Sequence, residues 1–119
     1  MNSKRLGHAI EAHAENFLKR RGLEPIDRNY HCRFGEVDLI MRDGEVLVFV
    51  EVRGRRGGQF GTPAESVTGK KQRRVAVAAA HYLQRHDSLA RLPCRFDVVG
   101  VITGVDPPRV QWIRNAFDG

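Results

Sequence analysis

The sequence predicts one domain of the α/β or α+β class, a central sheet flanked by helices. Three observations carry this. Apolar residues recur at helical spacing in two stretches, one near the N-terminus and one in mid-chain. Short runs rich in Val, Ile, Leu and Phe, bounded by turn residues, read as strands. The order is then helix, three strands, helix, two strands. A chain of 119 residues, 41% of them hydrophobic, is long enough for one core. No repeat or linker divides it, so residues 1–119 are expected to form a single domain.

The elements follow in order. From about Lys4 to Arg21, the residues Leu6, Ile10, Ala14, Phe17 and Leu18 mark one helix face, and Gly22 ends the helix. Glu24-Pro25-Ile26 opens a connection or first strand running to about His31. Phe34 to Met41 is a strand. Arg42-Asp43-Gly44-Glu45 reads as a hairpin turn, because Asp-Gly suits a two-residue loop that needs positive φ. Val46 to Val52, nearly all apolar, returns as a strand buried on both faces. Gly54 to Gly61 reads as a loop, mobile until a ligand binds. Thr62-Pro63-Ala64-Glu65 is a helix start, with a Thr cap, Pro at the first position and Glu three residues after the cap. The helical pattern then runs to about His86, with Gly69 as the place where it would break. Phe96 to Ile102 is a strand, Pro107-Pro108 a turn, and Val110 to Ile113 a short final strand.

Composition narrows the function classes. The longest apolar runs are strand-length, too short to span a membrane. The first eight residues lack the apolar core of a secretory signal. Cys32 and Cys94 stand in no metal-ligand spacing and are expected as free thiols in a reducing cytoplasm. His8 and His13, like His81 and His86, are five apart, which does not stack two ligands on one helix face. Gly54 to Gly61 lacks the Lys-Ser/Thr ending of a phosphate-binding loop. The formal net charge is +6. Arg53, Arg55 and Arg56 follow one strand, and Lys70, Lys71, Arg73 and Arg74 cluster further on. Beside a carboxylate site, such bases suit a polyanion held by its phosphates; taken alone, they read equally as solvated surface. Asp97, after Arg95, is expected to pair with an arginine, and Trp112 and Phe117 to pack near the C-terminus.

Two strands carry acids where a buried strand prefers β-branched residues: Gly35-Glu36-Val37-Asp38-Leu39-Ile40 and Phe49-Val50-Glu51-Val52-Arg53. If Asp43-Gly44 is the loop, Arg42 pairs with Glu45, Asp38 with Phe49 and Glu36 with Glu51. Glu36, Asp38, Glu51 and Arg53 would then project from one face, with Asp38 and Glu51 diagonal neighbours roughly 7–8 Å apart. Two carboxylate arms can meet across that gap on one cation at about 2.0–2.1 Å per bond, the Mg²⁺ distance. An ion so held neutralises a phosphodiester and lowers the pKa of a water. Hard oxygen ligands select Mg²⁺ or Mn²⁺, and a neighbouring cation stabilises charge building on phosphorus. The alternative is a solvated sheet face with Glu51 and Arg53 simply paired. Glu11, on the border of the first helix's apolar stripe, is placed to reach the sheet face or to stay on the helix flank. Gln72 falls on the inward face of the second long helix, where its amide needs a partner.

Gly7-(three residues)-Glu11, Gly35-Glu36-Val37-Asp38-Leu39-Ile40 and Val50-Glu51-Val52-Arg53 together resemble the PD-(D/E)XK nuclease superfamily. More closely, the chain resembles the small bacterial family of YraN-like, endonuclease-like proteins. That likeness extends over Arg28-Asn29-Tyr30, Phe60-Gly61-Thr62-Pro63, Lys71-Gln72, Tyr82-Leu83 and Arg95-Phe96-Asp97-Val98-Val99, nearly the whole chain. The acid-bearing helix and hairpin are similar to those of archaeal Holliday-junction resolvases. The resemblance implies an α/β, restriction-endonuclease-like fold, with a central mixed β-sheet flanked by α-helices. It implies Glu11, Asp38 and Glu51 as catalytic acids, with Asp38 and Glu51 binding the metal. The superfamily's lysine falls on Arg53, which cannot give up a proton and presents a planar fork instead.

Two readings result. In the first, the protein is a metal-dependent DNA endonuclease using Mg²⁺ or Mn²⁺. Asp38 and Glu51 hold the ion, Glu11 completes its shell, Arg53 stabilises charge, and Glu36 and Gln72 stand behind the ligands. Arg55, Arg56, Lys70, Lys71, Arg73 and Arg74 would hold the nucleic-acid backbone without sequence specificity. In the second, it is a nucleic-acid-binding module whose nuclease site is weakened or inactive because Arg53 replaces Lys. A homodimer is suggested by the resemblance alone.

Overall fold

The computed structural model describes residues 3–57 and 61–119. Helix α1 spans Ser3–Arg20 and is followed by strands β1 (Glu24–Cys32), β2 (Gly35–Asp43) and β3 (Val46–Arg56). A single 3₁₀ turn, Ala64–Ser66, precedes α2 (Gly69–Gln84) and the one-turn α3 (Asp87–Ala90). Strands β4 (Cys94–Thr103) and β5 (Arg109–Phe117) complete the chain.

The predicted end of α1 at Gly22 has a clear local cause. Gly22 takes φ +95°, Leu23 N–H reaches back to Leu18 O at 3.1 Å, and Gly22 N–H to Lys19 O at 3.0 Å. This is the Schellman pattern, and Leu23 and Leu18 supply the apolar contact that accompanies it.

The strands form one sheet in sequence order, β1 to β5. It is mixed: β3 and β4 run parallel, while the other neighbours are antiparallel. The β3–β4 crossover carries α2. The sheet thus has a core on each face. Ala14 and Leu18 of α1 pack with Leu39, Met41, Val48, Val50 and Val99. Val75, Ala78, Ala79 and Tyr82 of α2 pack with Val37, Ile40, Phe49 and Phe96. Covered on both sides, the stretches Val46–Val50 of β3 and Val98–Ile102 of β4 carry no charged side chain and are almost wholly apolar. The approach of α2 to the sheet is close at Gly35, where a Cβ would clash with the Arg74 carbonyl oxygen.

Three expectations are corrected. Gly54, Arg55 and Arg56 are not loop: β4 continues to pair β3 as far as Arg56 with Thr103. Gly58, Gln59 and Phe60 of that stretch lie outside the described residues. The Thr62 signature forms half of a capping box: Glu65 N–H bonds Thr62 Oγ1, while Glu65 Oε1 accepts from the Thr62 hydroxyl and not from its backbone N–H. It nevertheless opens only one turn, because Val67 turns inward in extended conformation. Helix α2 starts afresh, with Thr68 capping Lys71 N–H at 3.2 Å. The last strand is longer than expected and runs to Phe117, whose ring stacks on Phe96 at 5.2 Å.

Asp97 does pair with an arginine, and it is fully buried (0% exposed). Its carboxylate accepts from Arg95 Nε at 3.0 Å, Trp112 Nε1 at 2.9 Å and Asn115 N–H at 2.9 Å. It therefore ties β5 to β4. Arg95 also reaches Asp43 at 3.0 Å. Removing one member of a buried, fully bonded ion pair costs about 3–5 kcal/mol, whereas a partly exposed pair is worth under about 1 kcal/mol. Asp97→Ala should thus lower the thermal midpoint by roughly 10 °C or more and Asp43→Ala by only a few. Equal losses from the two variants in thermal denaturation would show that Asp97 is not the tie between these strands.

Candidate functional site

The acids meet at a fork in the sheet. The β2–β3 ladder runs from Asp43–Val46 to Leu39–Val50 and stops, while β3 continues along β4 to Arg56. The next inward donor on β3, Val52 N–H, bonds the Asp38 carboxylate at 2.8 Å instead of a β2 carbonyl. Asp38 thus occupies the place where backbone pairing fails.

The register differs from the sequence expectation. Asp43 pairs with Val46, so the two-residue loop is Gly44-Glu45. Gly44 has φ +59° at the first loop position, where a type II′ turn takes glycine. Each β2 residue therefore faces a β3 residue two positions later than expected. A shift of two preserves which face each side chain uses. Continued one step, the register sets Asp38 directly opposite Glu51 rather than diagonal to it.

The expectation that Glu36, Asp38, Glu51 and Arg53 share one plain face fails for another reason. Val37 lies in the α2 core, yet Leu39 and Met41 lie in the α1 core. The alternation of β2 reverses across Asp38. On β1 the same happens around Asn29, which has a left-handed φ of +51°. Tyr30 packs toward α2, whereas Arg28 reaches Glu15 of α1 at 3.1 Å. The fork consequently draws groups from both sides of the sheet.

From the α1 side comes Glu11, half-buried beside Asp38 and Asn29. Its Oε1 is buried without a hydrogen-bond partner. Burial, and next the Asp38 charge, push its carboxyl above the usual range, while Asn29 and His8 oppose. Glu51 is deeper, 2% exposed, and its Oε1 is also unpartnered. Burial first, and then Asp38, push it up to about 8.

From the α2 side comes Lys71. Its Nζ lies 2.8 Å from Glu36 Oε1 and 3.7 Å from Glu51 Oε2. Burial pulls its pKa down, but the Glu36 hydrogen bond and the surrounding carboxylates outweigh this and hold it charged. Glu36 is also gripped by Arg74 through Nε at 3.1 Å and Nη2 at 2.5 Å. That bond, helped by Lys71, brings Glu36 down to about 2. Arg53 places Nη1 3.7 Å from Glu51 Oε2 and donates from Nε to Ser66 Oγ at 3.1 Å.

Other sequence-selected residues lie elsewhere. Gln72 Nε2 donates to the Val67 carbonyl at 3.1 Å, fixing the link into α2 rather than an acid. Arg55 bonds the Gly61 carbonyl. Arg56, Lys70 and Arg73 are exposed. Lys71 and Arg74, grouped by sequence with the backbone-binding bases, are held on Glu36. Two residues were missed in these roles. Lys71 lies four positions before the buried Val75, an inward helical spacing as much as the three positions that singled out Gln72. Asn29 shows itself only as a residue type that tolerates positive φ.

Two clefts flank the acids. One of about 300 Å³ opens on His8, Glu11, Glu15, Arg28 and Asn29. The other, about 340 Å³, opens on Arg53, Arg55, Thr62, Glu65 and Ser66. Among the described residues, no three His, Cys, Asp or Glu side chains form a ready metal cage. What exists is a pair of opposed carboxylates with Glu11 beside them, all hard oxygen donors, two of them carrying unpartnered buried oxygens. That set fits Mg²⁺, which binds through one or two carboxylates and keeps several waters. No helix among the described residues is long and apolar enough to cross a membrane.

A family model described as uncharacterised protein family UPF0102 matches residues 10–101. Relatives carrying that family name are similar along nearly their whole length. One from Nitrosococcus oceani is 50% identical over 93% of this chain and 90% of its own. One from Nitrosospira multiformis is 53% identical over 94% and 92%. One from Chromohalobacter salexigens is 51% identical over 98% and 94%.

The raised Glu51 has a measurable consequence. Its pKa of about 8, against 4.5 unfolded, means that the folded state holds this proton more tightly. The associated stability is complete below pH 4.5 and lost as pH rises through about 8. Glu51→Gln, a permanent mimic of the neutral form, should match the parent protein in thermal midpoint near pH 4.5. It should exceed it by roughly 10 °C or more at pH 9. A difference constant with pH would place Glu51 at an ordinary carboxylate pKa.

Proposed function

This chain belongs to the uncharacterised protein family UPF0102, and from that premise we propose that it is a metal-dependent DNA endonuclease with a restriction-endonuclease-like core. The observation that carries the proposal is the fork: Asp38 and Glu51 opposed where the β2–β3 ladder ends, unpartnered buried carboxylate oxygens on Glu51 and Glu11, and the Lys71 ammonium 3.7 Å from Glu51. Concentrated acids with perturbed ionisation lower stability and mark functional sites.

Asp38 and Glu51 would hold Mg²⁺ or Mn²⁺, with Glu11 completing the shell directly or through water. The ion supplies charge neutralisation and a more acidic bound water. Lys71, kept cationic by Glu36, is oriented to stabilise charge developing on a phosphoryl oxygen. Arg53, braced by Ser66, offers its planar fork to a phosphate. The alternative of a weakened, binding-only site rests on Arg53 standing where a lysine is usual. Lys71 speaks against it, since an ammonium reaches the same acid from another element. A homodimer belongs to the same proposal, because resolving a branched junction takes two cuts related by symmetry.

The test is cleavage of linear, nicked and four-way-junction DNA with Mg²⁺ or Mn²⁺. Asp38→Ala should abolish it. Lys71→Ala should lower the rate about 10²–10³-fold, as for loss of one charge-stabilising donor, and Arg53→Lys should change it less than Lys71→Ala. DNA binding without cleavage of any substrate would favour the binding-only module. Cleavage indifferent to Asp38→Ala would defeat the assignment of the site.

A further inference from the structure

The β1–β2 hairpin ends in a two-residue tip, Arg33-Phe34, closed by the Cys32–Gly35 pair. Phe34 is 65% exposed, the most open of the large hydrophobic side chains described. The others in that class are aliphatic and at most 44% exposed. An aromatic ring held in water contributes nothing to the core. The Arg33 guanidinium lies 5.0 Å from the ring centroid. The tip is nonetheless firmly placed. Gly35 lies flat against the Arg74 carbonyl, and Glu36, two residues from the ring, is clamped by Lys71 and Arg74. The helix turns against which the hairpin docks carry Lys70, Lys71, Arg73 and Arg74. A rigid aromatic with a cation beside it, on a basic surface, is the arrangement on which a nucleobase stacks while its phosphates are held.

We propose that Phe34, with Arg33, is a stacking platform for an unpaired base of the nucleic acid engaged at the fork. The proposal rests on the nucleic-acid reading of the site and adds the substrate feature recognised: unstacked bases at a single-stranded stretch, bulge or branch. In a fully paired duplex the bases already stack on one another and offer no open face.

Binding is measured in EDTA, where cleavage is silent, to a 20-nucleotide oligodeoxythymidylate and to a fully paired duplex of equal length. Phe34→Ala should weaken oligodeoxythymidylate binding about tenfold or more, the loss of one base–aromatic contact. Duplex binding should change less than about twofold, and the thermal midpoint should stay put, because the ring is exposed. Phe34→Trp should retain binding, and its added fluorescence should be quenched by oligodeoxythymidylate. Unchanged or equally weakened binding to both DNAs overturns the platform while leaving the nuclease reading intact. A DNA-free dimer that Phe34→Ala abolishes would assign the ring to a second copy of the chain and also overturn it. If the parent protein binds neither DNA, platform and nucleic-acid reading fall together.

Discussion

The candidate site depends on one mismatch of lengths. β3 has two neighbours, but β2 leaves it at Leu39–Val50 while β4 accompanies it to Arg56. A parting of strands exposes backbone donors that must be satisfied. Here a carboxylate does it: Asp38 takes the Val52 N–H. That bond fixes the Asp38 side chain at the point of divergence, opposite Glu51. The reversal of alternation across Asp38, matched by left-handed Asn29 on β1, then opens the same point to both faces. Glu11 enters from one helix and Lys71 from the other.

Charge around the fork is sharply partitioned. Glu36 faces Arg74 and Lys71 and is ionised far below neutrality. Glu51, a few ångströms further along the same lysine, faces burial and Asp38 and keeps its proton to about pH 8. Lys71 belongs to both environments. Its bond to Glu36 is a full hydrogen bond, whereas its 3.7 Å approach to Glu51 is an ion-pair distance only. Glu36 thus acts as the anchor that aims the ammonium. Arg53 is similarly shared, its Nε fixed on Ser66 and its Nη1 turned to Glu51.

Much of this was legible in the sequence. Helical spacing found α1 and most of α2, because one apolar face against a sheet leaves a clear period. Apolar runs found β2, β3 and β4. The hairpin register was misread because Asp-Gly and Gly-Glu both offer a glycine to a two-residue loop, and a local preference cannot choose between them. The error left Asp38 and Glu51 neighbours, opposite instead of diagonal, only because it amounted to two residues. The extension of β3 through Gly54-Arg55-Arg56 was illegible, since it depends on β4 being there to pair. The reversal at Asn29 and Asp38 was hidden too: strand patterning assumes alternation, and nothing local announces where it breaks. Lys71 was visible by spacing but masked by its company, three other bases that made a solvated cluster the simpler reading.

The parallel pairing of β3 with β4 also orders events in time. Every β3 partner on that side, from Cys94 against Leu47 to Thr103 against Arg56, comes from the far end of the chain. Non-local parallel pairing is slow to form, and an emerging chain folds only with what has already been made. Until β4 is made, Glu51 sits on a strand with one bare edge and Arg53 on a segment with no neighbour. The acids of the fork cannot be assembled in a nascent or truncated chain. A fragment ending before β4 would carry all the residues of the candidate site and none of its geometry.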